Sequence, residues 1–160
     1  MKFFNVNDFV THKKELDKDK NHHLVMTNGC FDVLHVGHIK ILEESKKLGS
    51  SLLVAVNSDE SVARLKGSNR PINNSKDRIR LLSAIEFIDF IILFEEDTPK
   101  DIIKAISPDF LVKGADYEAK DIVGADHVKS YGGQVITIDL VEGYSSSKII
   151  SSLESNEKKL

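Results

Sequence analysis

The chain has 160 residues, 41% hydrophobic and 29% charged, which suits one domain with a single sizeable core. Its formal net charge of −3 supplies no global basic field for nucleic acid or an anionic membrane, so an anionic substrate must be met by local positive charge. No apolar run approaches the roughly 20 residues that cross a bilayer, Met1–Val10 lack the basic-then-apolar order of a secretion leader, and the single cysteine, Cys30, has no internal partner; the expected location is a reducing cytoplasm, with Cys30 as a small apolar residue.

In chain order, residues 1–23 read as an N-terminal extension with a short helix near Asn7–Leu16. Leu24–Cys30 is a buried strand, followed by a helix over Val36–Leu48 with apolar Ile39, Leu42 and Leu48 and a stop at Gly49. Leu52–Asn57 is a second apolar strand, and Ser58 and Asp59 are capping candidates for a helix through Leu65. Gly67–Asn74 is a loop rich in turn formers, after which Ser75 could cap a helix carrying Ile79, Leu82, Ala84 and Ile85. Phe90–Phe94 is a third strand. Thr98-Pro99 predicts an N-cap with proline at the first helical position, for a helix ending before Pro108. A strand at Phe110–Lys113, a helix over Asp121–Tyr131, a turn at Gly132-Gly133, a strand at Gln134–Leu140 and a last helix near Ser145 complete the pattern, with 156–160 as a frayed tail.

Five short apolar strands separated by helices predict one domain over 1–160: an α/β, Rossmann-like, open parallel five-stranded sheet with helices on both faces. Ligands in such sheets sit beyond the carboxyl ends of the strands where chain direction across the sheet reverses, so the loops after strands carry the chemistry.

The first of those loops runs Thr27-Asn28-Gly29-Cys30-Phe31-Asp32-Val33-Leu34-His35-Val36-Gly37-His38, placing two histidines three residues apart at a helix start. Unpaired helix amides and two imidazoles can then address the same phosphate oxygens, while Gly37 keeps that face open. The competing explanations are two surface histidines or a metal site, but two histidines without a third donor at ligand spacing make a poor zinc site. Glu142-Gly143-Tyr144-Ser145-Ser146-Ser147-Lys148 after the last strand is a second anion cradle, whose alternative is an ordinary serine-capped helix. Lys113-Gly114-Ala115-Asp116 would overlook the histidine turn if its strand neighbours the first. Arg64, Lys66, Arg70 and Arg78 are candidate countercharges for a triphosphate. Neither a Walker lysine loop nor a Gly-x-Gly-x-x-Gly turn after a strand occurs, which weighs against kinase, ATPase and dehydrogenase readings.

The His35–His38 turn is similar to the His-x-Gly-His hallmark of cytidylyltransferase-like nucleotidyltransferases. Together with Asn57-Ser58-Asp59, Arg64 to Pro71, Glu96-Asp97-Thr98-Pro99, Leu111 to Tyr117, Val123-Gly124-Ala125-Asp126 and Gly143 to Ser147, it resembles the bacterial D-glycero-β-D-manno-heptose 1-phosphate adenylyltransferases over roughly Leu24–Ser152. The glycerol-3-phosphate and phosphoethanolamine cytidylyltransferases, which use CTP, are the nearest alternative. Lys148 resembles their version of the last motif, whereas Leu140-Val141-Glu142 lacks the arginine typical of the glycerol-phosphate enzymes. A non-catalytic nucleotide-binding domain is the alternative of another class.

The resemblance implies transfer of AMP from ATP to a sugar 1-phosphate, with magnesium accompanying ATP and no metal ligand assigned. His35, His38 and Lys40 would be catalytic. Thr27, Asn28, Gly29, Cys30, Phe31, Gly37, Lys113, Gly114, Asp116, Tyr144, Ser145, Ser146 and Ser147 would bind nucleotide, and Asp32, Asn57, Asp59, Arg64, Lys66 and Arg78 the sugar phosphate. A stand-alone cytoplasmic homodimer is implied, supplied by a separate sugar kinase, without nucleic-acid or membrane partners.

Overall fold

Alternation along the strands decides the layers. In β3 (Ser51–Asn57), buried along its whole length, Leu53 and Ala55 join one apolar cluster while Leu52, Val54 and Val56 join another, because successive side chains leave opposite faces of a strand. The same division holds in β2 (Leu24–Gly29), with Leu24 and Met26 on one face and Val25 on the other. A sheet apolar on both faces must be covered on both.

The covering elements follow in the computed structural model, which describes residues 2–115, 122–139, 141 and 143–157. On the Leu53 face, α1 (Val6–Leu16), α5 (Lys100–Ile106) and α6 (Ala125–Ser130) bury Phe9, Ile102, Ile103, Ile106, Ala125 and Val128. On the Val54 face, α2 (Val36–Lys46) and α4 (Ser75–Ser83) bury Leu42 and Leu82. The remaining strands are β1 (Phe3–Phe4), β4 (Phe90–Phe94), β5 (Phe110–Gly114) and β6 (Gln134–Ile138), and α3 (Asp59–Lys66) and α7 (Ser146–Glu157) complete the element order. No helix among the described residues is long and apolar enough to cross a membrane.

The sheet order is β1-β4-β3-β2-β5-β6, every pair parallel. From β2 the chain winds outward through β3 to β4, then crosses back to place β5 on the other side of β2. The switch point therefore lies between the carboxyl ends of β2 and β5, where a crevice must open.

The sheet has six strands rather than five. The sixth, β1, is two residues long, paired Phe3↔Ile91 and Phe4↔Ile92, too short to show alternation in the sequence. Residues 2–23 are correspondingly part of the fold. Phe9 is fully buried, and the Phe4 ring meets Phe9 and Phe90 at centroid distances of 5.7 and 5.8 Å; burying one such phenylalanine contributes about 2 kcal/mol.

Three helix starts also differ. Asn74, not Ser75, caps α4 by accepting from the Asp77 amide, which frees Ser75 to reach Asp59. Helix α5 begins after Pro99 without a side-chain cap, so Thr98 is left outside it. Helix α6 begins at Ala125 because Gly124 holds φ +87°, and a Cβ there would stand 2.7 Å from Ile103 Cδ1. Asp121 and Leu140, expected at the ends of α6 and β6, lie outside the described residues, as do 158–160; the expected tail at 156–157 is the end of α7.

Candidate active site

A crevice of about 530 Å³ opens at the switch point. Thr27 to Asp32 form its floor, Lys113 and Gly114 at the end of β5 flank it, and the first turns of α2 and α7 face it with His35, Gly37, His38, Ser145, Ser146 and Ser147. Two helix N-termini thus converge on one space, each with unpaired amides and a positive dipole end.

The histidines are held by their own helix. His35 is the N-cap residue of α2, and its Nδ1 accepts from the Gly37 amide at 3.1 Å; His38 Nδ1 accepts from the His35 amide at 3.3 Å. This is a reciprocal capping box built from imidazoles. With each Nδ1 serving as acceptor, the proton of a neutral ring sits on Nε2, the nitrogen left to donate to an anion. The ring centroids are 3.9 Å apart. Gly37 leaves no room for a side chain: a Cβ would stand 2.9 Å from His35 Cε1.

Burial lowers the pKa of both rings. His35 lies below its ordinary value, and His38 falls to about 4 through burial first and then the adjacent His35. Both are neutral at pH 7. The unfolded imidazole titrates near 6.5, so between about pH 6.5 and 4 the unfolded chain takes up a proton that folded His38 refuses. Stability must fall as pH drops through that window and level off below it, a loss on the order of 3 kcal/mol. Urea midpoints at pH 7, 5.5 and 4.5 test this. His38→Asn is expected to flatten the acid limb relative to wild type, and parallel profiles would refute the assignment.

Asp32, 1% exposed, accepts from Arg70 Nε at 2.6 Å and from the Ile72 and Asn73 amides at 2.9 and 2.8 Å. Burial opposes its ionisation, but these bonds and the Arg70 charge prevail and hold the carboxyl below its ordinary value. Its oxygens tie residues 70–73 to the floor, and Asp32, expected as a sugar-phosphate ligand, lines the crevice while making these bonds. Burial pushes the Cys30 thiol up despite nearby Lys66, Arg78 and Arg70, so it remains an inert lining residue.

Ser146 Oγ donates to Val33 O at 2.8 Å, and Ser145 Oγ accepts from the Lys148 amide. The first bond docks the start of α7 onto the histidine loop, and the second caps α7. Lys113 Nζ donates to Asn28 O at 3.3 Å. Tyr144 lines the mouth, its ring 6.5 Å from His35. Asp116 lies outside the described residues.

Four expected ligands are not on the wall. Lys40 follows His38 by two residues, about 200° around α2. Arg64 is not among the lining residues and donates to Asp97 Oδ1 at 2.7 Å and Glu95 O at 2.6 Å. Arg78 is fully buried and bonded to Asp59, Asn73 and Cys30. Asp59 accepts from Arg78 and from Ser75. The wall instead includes residues not named as ligands: Arg70, Asp97 and Thr98, with apolar Ile41, Leu65, Pro99, Ile122, Val123 and Val141. Arg70 stood in the basic set and Asp97-Thr98 in the motif after the third predicted strand; the scattered apolar positions carried no signal.

The chain is 50% identical over 142 residues to the bifunctional protein HldE of Nitratiruptor sp., covering 89% of this chain and 30% of that one. It is 48% identical over 160 residues to HldE of Campylobacter jejuni subsp. doylei, covering 96% and 34%. It thus spans about a third of the length of the curated relatives it matches. Among solved structures, the lipopolysaccharide core biosynthesis protein from Thermoplasma volcanium aligns with a TM-score of 0.62 at 32% identity, over 78% of this chain and 99% of that one. Pantothenate synthetase from Thermus thermophilus, 12% identical with a TM-score of 0.67 over 99% of this chain and 70% of that one, shares the fold. The cytidylyltransferase-like family model matches residues 26–152, and the chain belongs to that family of nucleotidyltransferases.

Proposed function

We propose that this domain transfers AMP from ATP to D-glycero-β-D-manno-heptose 1-phosphate, releasing pyrophosphate and giving ADP-heptose for lipopolysaccharide core or another surface glycan. The observation that carries a nucleotidyl transfer is the pair of neutral imidazoles whose Nδ1 atoms are occupied by the α2 backbone at the bottom of a two-helix anion crevice. The heptose acceptor is supported by likeness to the HldE proteins over nearly the whole chain.

In this reading an oxygen of the sugar phosphate, anionic at neutral pH, attacks the α-phosphorus of ATP in line. The new O–P bond forms as the bond to pyrophosphate breaks, and no general base is needed. Catalysis becomes a matter of positioning two polyanions and stabilising charge on the leaving group. His35 and His38 donate Nε2–H to phosphate oxygens, the α2 and α7 amides take the rest of the triphosphate, and Thr27 to Phe31, Gly37, Lys113, Gly114 and Tyr144 to Ser147 wall the nucleotide. Lys66 and Asn57 face the acceptor. Among the described residues no group of three or more His, Cys, Asp or Glu could hold a metal ion. Magnesium would accompany the triphosphate, neutralising it and keeping several waters. A single domain, a homodimer, a cytoplasmic setting and a sugar kinase as the source of acceptor complete the reading.

Pyrophosphate release with magnesium tests it, comparing ATP plus heptose 1-phosphate with CTP plus glycerol 3-phosphate or phosphoethanolamine. ATP-dependent release is the expected result. Selective CTP turnover would move the substrate assignment to the cytidylyltransferases, and silence in every pair would favour a binding domain.

A further inference from the structure

The crevice has two unlike flanks. On the β5 side, Lys113, Gly114 and the start of α7 offer amides, hydroxyls and a cation. On the β3–β4 side the lining changes to Asn57, Lys66, Arg70, Asp97 and Thr98, and two of these are held from behind by α3. Asn57, 4% exposed, donates its side-chain NH₂ to Ser61 Oγ at 3.0 Å, and Ser61 Oγ donates to Glu96 O at 3.0 Å. Asp97 takes Arg64 Nε on Oδ1 at 2.7 Å, while Arg64 Nη2 grips Glu95 O at 2.6 Å. The segment after β4 is thus pinned at both ends to α3.

This pinning leaves two acceptor oxygens on the same flank. Asp97 Oδ2 and Asn57 Oδ1 have no bonded partner among the described residues. An acceptor-only pair of this kind suits hydroxyl donors and repels phosphate oxygens. Lys66, on the same wall and without a partner among the described residues, does the reverse. A molecule with a phosphate at one end and several hydroxyls at the other matches this polarity in one orientation. In an in-line displacement the acceptor oxygen enters opposite the leaving pyrophosphate, so with the triphosphate on the Lys113 and α7 side the acceptor lies on the other flank.

We infer that Asp97, positioned by Arg64, and Asn57, positioned by Ser61, form a polyol subsite that selects a multiply hydroxylated acceptor. The inference rests on the proposed sugar-phosphate reaction and adds which residues choose the acceptor. Asp97 contacts the substrate directly; Arg64 is a positioning residue that keeps one carboxylate oxygen occupied and the other presented.

Steady-state kinetics with magnesium and ATP test it on wild type, Asp97→Asn, Asp97→Ala, Arg64→Met and Arg64→Lys, with heptose 1-phosphate and methyl phosphate as alternative acceptors. A charged hydrogen bond to hydroxyl corresponds to about 10- to 100-fold in binding. The KM for heptose 1-phosphate is expected to rise by that factor in both Asp97 variants, with the KM for ATP held within about twofold. Discrimination against methyl phosphate should shrink by the same factor. Arg64→Met should reproduce a milder form of the defect and Arg64→Lys restore part of it. An unchanged sugar KM, or a rise in the ATP KM instead, would overturn the subsite while leaving the reaction standing. Wild-type silence with every sugar phosphate would overturn the reaction and the subsite with it.

Discussion

Turnover in His38→Ala is expected to fall about 100- to 1000-fold, with His35→Ala similarly impaired and the fold preserved in both. Removing one preorganised donor to a developing oxyanion costs about 3–4 kcal/mol of transition-state stabilisation. In the proposed transfer that cost falls mainly in kcat, because charge on the leaving pyrophosphate appears only as the bond breaks. A confounding term is separable: each ring also caps α2 through Nδ1, and losing a cap costs about 1 kcal/mol of stability. Asparagine at position 35 keeps a capping acceptor but withdraws the donor from the crevice. His35→Asn should therefore unfold near the wild-type urea midpoint while remaining catalytically impaired. Wild-type kcat in both alanine variants would remove the histidines from the mechanism.

The histidine turn was legible because its signals are local. A buried apolar run, a glycine and two histidines three residues apart place both rings at one helix start, and the folded chain adds only which nitrogen each uses. The long strands and their flanking helices were legible for the same reason, since β3 declares itself through seven consecutive buried residues. What failed to show depends on partners far apart in sequence. Asp32 reads as an available carboxylate until residues 70–73, some forty positions away, are seen to occupy it. Strand β1 owes its existence to pairing with Ile91 and Ile92; nothing within two residues could announce it. Arg64, Lys66, Arg70 and Arg78 form one basic cluster in the sequence, yet the fold sends them to four different tasks, because 14 residues of helix and loop carry them to the rim, the wall and the core.

Arg78 is the extreme case, and its loss is expected to cost about 3–5 kcal/mol of stability, the range seen when one partner of a buried charged network is removed. Its side chain is fully buried, with Nε on Asn73 O at 3.0 Å, Nη1 on Cys30 O at 2.5 Å and Nη2 on Asp59 Oδ1 at 2.7 Å. Arg78→Ala strands two carbonyls and leaves Asp59 with Ser75 alone. Lysine cannot replace the planar fork that reaches three acceptors in three directions, so Arg78→Lys should be intermediate in stability. In Asp59→Ala the buried guanidinium loses its carboxylate, and in the double variant neither charge is left unpaired. The double variant should therefore be more stable than the sum of the two single losses predicts, by about 1–3 kcal/mol of coupling. Because Nη1 holds the carbonyl of Cys30 on the crevice floor, Arg78→Lys should also lower kcat in material that is still folded. A destabilisation under about 1 kcal/mol, or full activity in Arg78→Lys, would mean that the floor keeps its shape without this arginine.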